Sequence, residues 1–151
     1  MNDISVFAGG LVRLLADHCT LKYEAQIFLW TCGGSVNPSL RATLRGNCDQ
    51  LEHSIDCIGA RLAEVQGRFP PTISELAFFS SIPQPLDRST AASLLDGIRD
   101  SHSSIVDNIE LLEAIIPWSD LPEDGAMLAS LKALHAEAIV KLSAVRLADL
   151  H

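Results

Sequence analysis

Apolar residues recur at steps of three and four along four long stretches of the chain, and this spacing is typical of amphipathic α-helices. The first stretch runs from Ile4 to about Trp30, and Gly33 and Gly34 then end it. The pattern therefore predicts a long first helix with one buried face. The positions on that face are Phe7, Leu11, Leu14, Leu15, His18, Leu21, Ala25 and Phe28.

A second helix is predicted to begin at Asn37, whose side chain can cap it. Pro38 follows in the first turn, where the missing backbone N–H of proline costs nothing. The helix should stop near Gly67, after about seven turns, or roughly 40 Å. Its inward positions are Leu40, Leu44, Cys48, Leu51, Ile55, Ile58, Leu62 and Val65.

The segment from Phe69 to Leu86 is rich in proline and predicts a connection between helices. Within it, Thr72 followed by Glu75 is a capping-box pattern that predicts a short helix through Phe79. About twenty residues is far more than a hairpin between helices needs, but it is enough to travel the length of a bundle. The helices before and after this crossover can therefore run parallel.

Two further helices complete the pattern. One is predicted from about Ser89 to Ile116, where Pro117 ends it, and a short loop from Trp118 to Gly125 leads into the last helix. The sequence thus predicts an all-α fold, a four-helix bundle with two short loops and one crossover, as a single domain over residues 1–151. The inward positions of these two helices are Leu94, Leu95, Ile98, His102, Ile105, Ile109, Leu112 and Ile116, then Met127, Leu128, Leu131, Leu134, Ala138, Leu142 and Val145.

Composition and charge limit the kinds of molecule that the protein is expected to bind. With 48% hydrophobic residues, a chain of 151 residues can bury a stable core without disulfide bonds or bound metal ions. The formal net charge of -8 argues against a protein whose affinity comes from phosphate contacts, and no Lys or Arg precedes Arg13. We therefore expect no nucleic-acid binding through a basic tail.

The cysteines and the apolar runs indicate the compartment. None of the four cysteines forms a Cys-x-x-Cys pair, so free thiols in a reducing cytosol are expected. The chain shows no signal-peptide core and no uninterrupted apolar run near the ~18 residues that span a bilayer. These features favour a soluble, cytoplasmic protein with no membrane partner.

Candidate chemistry on the second helix is acidic. Asp49, Glu52, His53 and Asp56 follow at i, i+3, i+4 and i+7, which places them along one side of the helix. They could form a metal site or simply a solvated face. His18 and His102 fall on inward stripes, where hydrogen-bonded core histidines are expected rather than ligands. No Walker loop, dinucleotide glycine motif or Ser/His/Asp ordering supports a nucleotide enzyme or a hydrolase.

Short strings in a fixed order carry a family resemblance. They are Leu15-Ala16-Asp17-His18 ahead of Trp30, then Asp56-x-Ile58 with Arg61, then Pro70-Pro71-Thr72, then Asp124-Gly125 ahead of His135. In order and spacing, and in the spacing from Trp30 through Gly34 to Asp56, they resemble the Dps miniferritins, the small branch of the ferritin-like family. Trp30 matches the tryptophan that closes the family's first helix.

The resemblance implies a ferritin-like four-helix bundle that assembles as a homo-oligomer, either a shell of twelve subunits or at least a two-fold dimer. It also implies a role in iron storage and detoxification, with iron oxidised at the two-fold interface. No cofactor follows from the residues themselves, and iron follows only from the resemblance. The positions that correspond to the family's iron ligands are Leu29, Arg41, Arg45, Asp56 and Ala60.

Four of these five positions carry residues that do not bind iron. Ferrous iron needs several oxygen or imidazole ligands, and Asp56 is the one carboxylate left. Arg41 and Arg45 add two fixed positive charges, which repel a cation and cannot be lost by deprotonation. We therefore expect no ferroxidase activity at this location, while the question of enzyme activity elsewhere stays open.

The two arginines suggest another role at a two-fold interface. A two-fold axis pairs residue i with j and j with i, so Arg45 or Arg41 of one subunit can reach Asp56 of its neighbour. The alternative is that both arginines are solvated. The sequence leaves open which arginine faces the interface.

Three functions remain. The first is a cage subunit with little or no catalysis, which stores iron delivered in another way or assembles with an active paralogue. The second is an iron-oxidising miniferritin with a relocated site built from Asp49, Glu52 and Asp56. The third is a noncatalytic helical interaction module that acts as a dimer.

Overall fold

The computed structural model describes residues 3–65, 67–83, 89–118 and 120–150. Within them the secondary structure is entirely helical, which confirms the all-α prediction. The elements are α1 (Asp3–Cys32), α2 (Pro38–Glu64), α3 (Ile73–Phe78), α4 (Ala91–Ile115), α5 (Pro122–Ser143) and a final 3-10 turn (Leu147–Leu150).

The start of α2 is capped as predicted. The side-chain oxygen of Asn37 accepts a hydrogen bond of 2.7 Å from the backbone N–H of Ser39, and Pro38 is the first helical residue. The helix ends at Glu64, three residues before Gly67, so it is slightly shorter than predicted. Gly67 instead donates its N–H to the carbonyl of Leu62, which satisfies an acceptor in the last turn.

The starts of α3 and α4 follow the same rule. The hydroxyl of Thr72 accepts a hydrogen bond of 3.1 Å from the N–H of Glu75, which confirms the predicted short helix. Thr90 and Ser93 form a reciprocal capping box at the start of α4, so this helix begins two residues after the predicted Ser89. The end of the predicted crossover, residues 84–86, lies outside the described residues.

The directions of the helices follow from which residues meet. Because α1 ends at Cys32 and α2 already begins at Pro38, and Lys22 in α1 lies 3.9 Å from Glu52 in α2, these two helices form an antiparallel hairpin. Residues of α1 meet residues of α4 in reverse order, so this pair is antiparallel as well. The parallel arrangement of α2 and α4, which a long crossover permits, is therefore present. The pairs between α1 and α4 are Glu24 with Ser101, Asp17 with Asn108 and Gly10 with Leu112.

The predicted inward stripes form one core. Every predicted position in α1 and α4 is buried, and the exceptions in the other two long helices are half-buried. The stripe of each helix therefore fixes its rotation about its own axis. The half-buried positions are Ile55, Val65, Met127, Leu134 and Val145.

Among the described helices, α1 alone is long and apolar enough to cross a membrane, judged by length and composition. In the bundle its apolar stripe belongs to the core, where Phe7 and Leu11 have no exposed surface. Core helices of globular proteins pass the same test, so this property alone does not indicate a membrane protein.

A buried carboxylate attaches the crossover to the bundle. Asp17 of α1 has no exposed surface, and its two oxygens accept hydrogen bonds from Ser80 Oγ (2.9 Å), Ser81 N (2.7 Å), Ser81 Oγ (2.7 Å) and Asn108 Nδ2 (3.0 Å). A buried charge is tolerated when donors surround it in this way. Asp17 therefore joins α1, α4 and the end of the crossover segment that follows α3.

Candidate functional site

The site that the resemblance indicates lies at the end of α1 and along α2. Leu29 and Arg41 are half-buried, whereas Arg45, Asp56 and Ala60 are exposed. An aliphatic side chain, two guanidinium groups, a methyl group and one carboxylate offer a metal ion one good ligand. The described side chains at these positions therefore lack the donor set of a metal centre.

Arg41 has a partner within the chain. Its Nη1 donates a hydrogen bond of 3.2 Å to the backbone carbonyl of Gly33, just beyond the carboxyl-terminal end of α1. A cation at this end of a helix also interacts favourably with the helix dipole. Arg41 therefore fastens the α1–α2 turn.

Arg45 and Asp56 differ from Arg41 in that they have no partner among the described residues. They are eleven residues apart on α2, which is close to three full turns, so their side chains leave the helix on the same side. Both are exposed, and in the described part of the chain neither makes a hydrogen bond or an ion pair. Both side chains are thus available to a second copy of α2, and the pairing of Arg45 with a neighbour's Asp56 stays a prediction.

The acidic residues proposed as a relocated metal site are also exposed. Glu52 lies 3.9 Å from Lys22 Nζ, while Asp49 and Asp56 point to solvent. Over the described ranges, no group of three or more His, Cys, Asp or Glu side chains is placed to hold a metal ion. The described chain by itself therefore offers no preformed metal site at these residues.

An apolar flank covers the outer side of α1 next to the crossover. It consists of Tyr23, Ile27, Trp30, Ile73 and Leu76, and Tyr23 and Trp30 are 62% and 69% exposed. Four of the five side chains, all but Trp30, line an open cleft of about 550 Å³ between α1 and α3. Large exposed aromatic side chains on one helix are typical of protein interfaces.

Three buried histidines meet in the core, one from each of three helices. They are His18 of α1, His102 of α4 and His135 of α5, and none is more than 3% exposed. His135 Nε2 lies 2.8 Å from His18 Nε2, and His135 Nδ1 lies 2.8 Å from His102 Nδ1. The prediction that His18 and His102 are hydrogen-bonded core histidines is confirmed.

Burial lowers the pKa of all three imidazoles, because the interior disfavours the charged form. The pKa of His102 falls to about 4 and that of His135 to about 2, with the neighbouring imidazoles as a second cause. Burial also lowers the pKa of His18, opposed by its hydrogen bond to Leu14 and by the charge of Asp17. The three rings are therefore neutral at pH 7.

His135 is absent from the inward positions that the sequence pattern predicts for α5. The signal was present, because His135 follows Leu128 and Leu131 at spacings of seven and four on the buried stripe of α5. What the sequence could not show is that His135 stands at the same height in the bundle as two histidines on other helices. That relationship depends on how α1 packs against α4 and α5.

Comparisons with known proteins fall into two kinds. No protein-family model and no curated protein matches the sequence. Solved structures do match: a dodecameric thioferritin, the bacterioferritin-related protein from Bacteroides fragilis, is 12% identical with a TM-score of 0.82, over 93% of this chain and 83% of its own. The Dps protein from Vibrio cholerae O1, described as a member of a broad superfamily of ferritin-like diiron-carboxylate proteins, is 17% identical with a TM-score of 0.80, over 94% and 89%.

A third match, DpsC from Streptomyces coelicolor, is 18% identical with a TM-score of 0.80, over 95% of this chain and 85% of its own. At these identities the similarity establishes architecture rather than chemistry. The three solved structures match this chain over its helix order and over the crossover between the second and third long helices. The chain has the ferritin-like fold of the Dps type.

Proposed function

We propose that the protein is a self-assembling subunit of the Dps type, related to iron storage and detoxification, that lacks a ferroxidase centre at its two-fold interface. The chemistry at the positions that the family resemblance assigns to iron ligands supports the proposal: Arg41 and Arg45 stand at two of them, and Arg41 already donates a hydrogen bond to the carbonyl of Gly33. Two fixed positive charges beside a single carboxylate disfavour ferrous iron, the substrate of such a centre.

Self-assembly is supported by the apolar flank. In an isolated chain, Tyr23 and Trp30 stay largely in water, and burying them against a second copy would gain roughly 25 cal/mol for each Å² of apolar surface removed from water. The thioferritin with the same fold is dodecameric. Closed assembly of twelve copies of this 16.3 kDa chain would give a shell of about 200 kDa.

Within that assembly, Arg45 is the better candidate than Arg41 for an ion pair with Asp56 of the partner subunit. Arg41 uses its guanidinium within the chain, whereas Arg45 lies on the same side of α2 as Asp56. Two antiparallel copies of α2 that cross midway between residues 45 and 56 would form this pair twice. The pair would fix the geometry of the interface more than its stability.

Iron oxidation and particle mass, measured on one sample, test the proposal. We expect ferrous iron in air to oxidise no faster than in buffer, while light scattering gives a mass of about 200 kDa. Rapid oxidation would contradict the proposal and favour the relocated site, which Asp49→Asn, Glu52→Gln and Asp56→Asn would then test. A dimer without oxidation would instead indicate a helical interaction module.

A gain-of-function variant serves as the matched control. It restores the family's ligand types in one chain through the changes Leu29→His, Arg41→His, Arg45→Asp and Ala60→Glu. If the scaffold is a Dps-type cage that has lost only its ligands, this variant should oxidise ferrous iron faster than the wild type. Equal, slow rates in both proteins would show that the two-fold positions are wrongly assigned.

We infer a cytoplasmic protein that stores iron delivered in another way or assembles with an active paralogue. The net charge of -8 supports the absence of nucleic-acid binding through a basic tail. Co-purification of a second Dps-type chain in the same particle would identify the paralogue.

A further inference from the structure

The three core histidines form a hydrogen-bonded chain with a defined direction. His18 Nδ1 lies 2.7 Å from the backbone carbonyl of Leu14, and a carbonyl can only accept, so His18 carries its proton on Nδ1. The Nε2 of neutral His18 is then an acceptor, so His135 donates from Nε2. His135 Nδ1 must in turn accept from His102 Nδ1.

This order of donors and acceptors leaves one nitrogen lone pair unused at the end of the hydrogen-bonded chain. His102 uses its proton on Nδ1, so its Nε2 is unprotonated, and that atom is buried without a hydrogen-bond partner. At His18 and His135, both ring nitrogens are engaged. A proton can therefore join the neutral chain at His102 Nε2 without breaking a hydrogen bond.

That proton would convert a buried acceptor into a buried, charged donor without an acceptor. The ring lies in the apolar core, where an unpaired charge is costly. The charged and titratable groups around the chain are few in the described bundle. On α1, Asp17 is the carboxylate that acts on His18, but its oxygens already accept four hydrogen bonds, and Glu24 accepts one from Ser101 of α4. The buried titratable group of α2 is Cys48, and α5 contributes His135.

We propose that the chain Leu14–His18–His135–His102 is an acid-sensitive lock, which holds α1, α4 and α5 together while it is uncharged and loosens the bundle when His102 Nε2 takes up a proton. Mild acid thus favours opening of the subunit, because the opened chain binds the proton that buried His102 Nε2 takes up only near pH 4. The lock does not depend on whether the two-fold interface oxidises iron.

The sign of the effect follows from the depressed pKa values. The unfolded chain binds a proton at each histidine near pH 6.5, whereas folded His102 does so only near pH 4. Stability is therefore fully present above pH 6.5 and is lost as the pH falls towards the folded pKa values. For each histidine that stays neutral in the fold, the unfolding constant rises up to about tenfold for each pH unit below 6.5.

Solid-state NMR of protein labelled with ¹⁵N-histidine tests the direction of the chain, whatever the particle size. At pH 7.5 we expect the Nδ1–H tautomer for His18 and His102 and the Nε2–H tautomer for His135. On acidification, His102 Nε2 should be the first of these nitrogens to shift. A His102 in the Nε2–H form, or a first shift at His18 or His135, would overturn the proposal.

Unfolding as a function of pH, at one protein concentration, tests the lock. In His102→Gln, an amide N–H can still donate to His135 Nδ1 but cannot titrate. Acidification from pH 6.5 to 5 should raise the unfolding constant of both proteins. The factor of increase should be about 15 times smaller in His102→Gln than in the wild type. The control is His53→Gln, which removes an exposed histidine and should respond like the wild type. Equal responses in wild type and His102→Gln would overturn the proposal.

Discussion

Arg61 and Asp124 join the last turn of α2 to the first turn of α5 through two parallel hydrogen bonds, Nε–Oδ1 at 2.7 Å and Nη2–Oδ2 at 2.8 Å. The carboxylate is almost buried, whereas the guanidinium also reaches the exposed Glu64 at 3.0 Å. A forked pair of this kind fixes the orientation of both side chains. The motif residue Arg61 thus has a structural partner that lies 63 residues further along the chain.

Loss of this bidentate ion pair should destabilise the bundle. Arg61→Gln leaves the buried carboxylate of Asp124 without its cation, and we expect the free energy of unfolding in urea to fall by about 2 kcal/mol. The control is Glu64→Gln, which breaks only the exposed pair and should cost less than about 0.5 kcal/mol. Similar losses of unfolding free energy in the two variants would mean that the contact with Asp124 contributes no more to stability than the exposed pair with Glu64.

Asp17→Ala should release the crossover. Its donors Ser80, Ser81 and Asn108 would lose a shared acceptor, and we expect a loss of about 3 kcal/mol together with faster proteolysis between residues 67 and 83. Asp100→Ala, on the exposed face of α4, is the control and should change neither quantity. An unchanged cleavage rate in Asp17→Ala would show that the crossover is held by other contacts.

Gly33 and Gly34 should respond very differently to alanine. A Cβ at Gly33 would lie 2.4 Å from the backbone oxygen of Leu29, which cannot move away without distorting α1, whereas a Cβ at Gly34 meets nothing within 4 Å. We expect Gly33→Ala to cost about 1–3 kcal/mol and Gly34→Ala less than about 0.5 kcal/mol in thermal unfolding. The reverse order would contradict the turn geometry.

Charge reversal should report on the two-fold interface. Arg45→Glu would face Asp56 of the partner subunit with a like charge, and we expect dissociation into smaller species at about tenfold higher protein concentration. The double variant Arg45→Glu with Asp56→Arg restores opposite charges and should recover the wild-type mass in light scattering. Arg13→Glu, an exposed arginine on α1, controls for net charge. Failure of the double variant to recover would exclude the pair.

The long helices and their caps could be predicted from the sequence because they depend on neighbours in the chain. The stripe of α1, the cap at Asn37 and the short helix after Thr72 all involve residues within a few positions of one another. The ends of helices were less certain: α2 stops at Glu64 because the chain turns before Gly67.

The site was harder to predict, because its contacts join residues far apart in sequence. The donors around Asp17 come from 63 to 91 residues away, and His18 meets His135 across 117 residues. No local spacing encodes such pairs. The iron-ligand positions rest on the family resemblance alone and stay a prediction, as does a partner for Arg45, which depends on a second subunit.

The polar contacts of α1 with α4 and α5 also bear on which alignment of these helices is stable. Apolar stripes can slide by one helical turn, about 5.4 Å, and still cover each other. The same slip of α1 against α4 and α5 would separate Glu24 from Ser101, Asp17 from Asn108 and His18 from His135 at once. Each of these buried hydrogen bonds would then be broken, so the misaligned bundle would be disfavoured more than its lost apolar contacts suggest. Replacing Ser101 and Asn108 with alanine should therefore preserve the helical circular dichroism signal while NMR shows more than one packed arrangement.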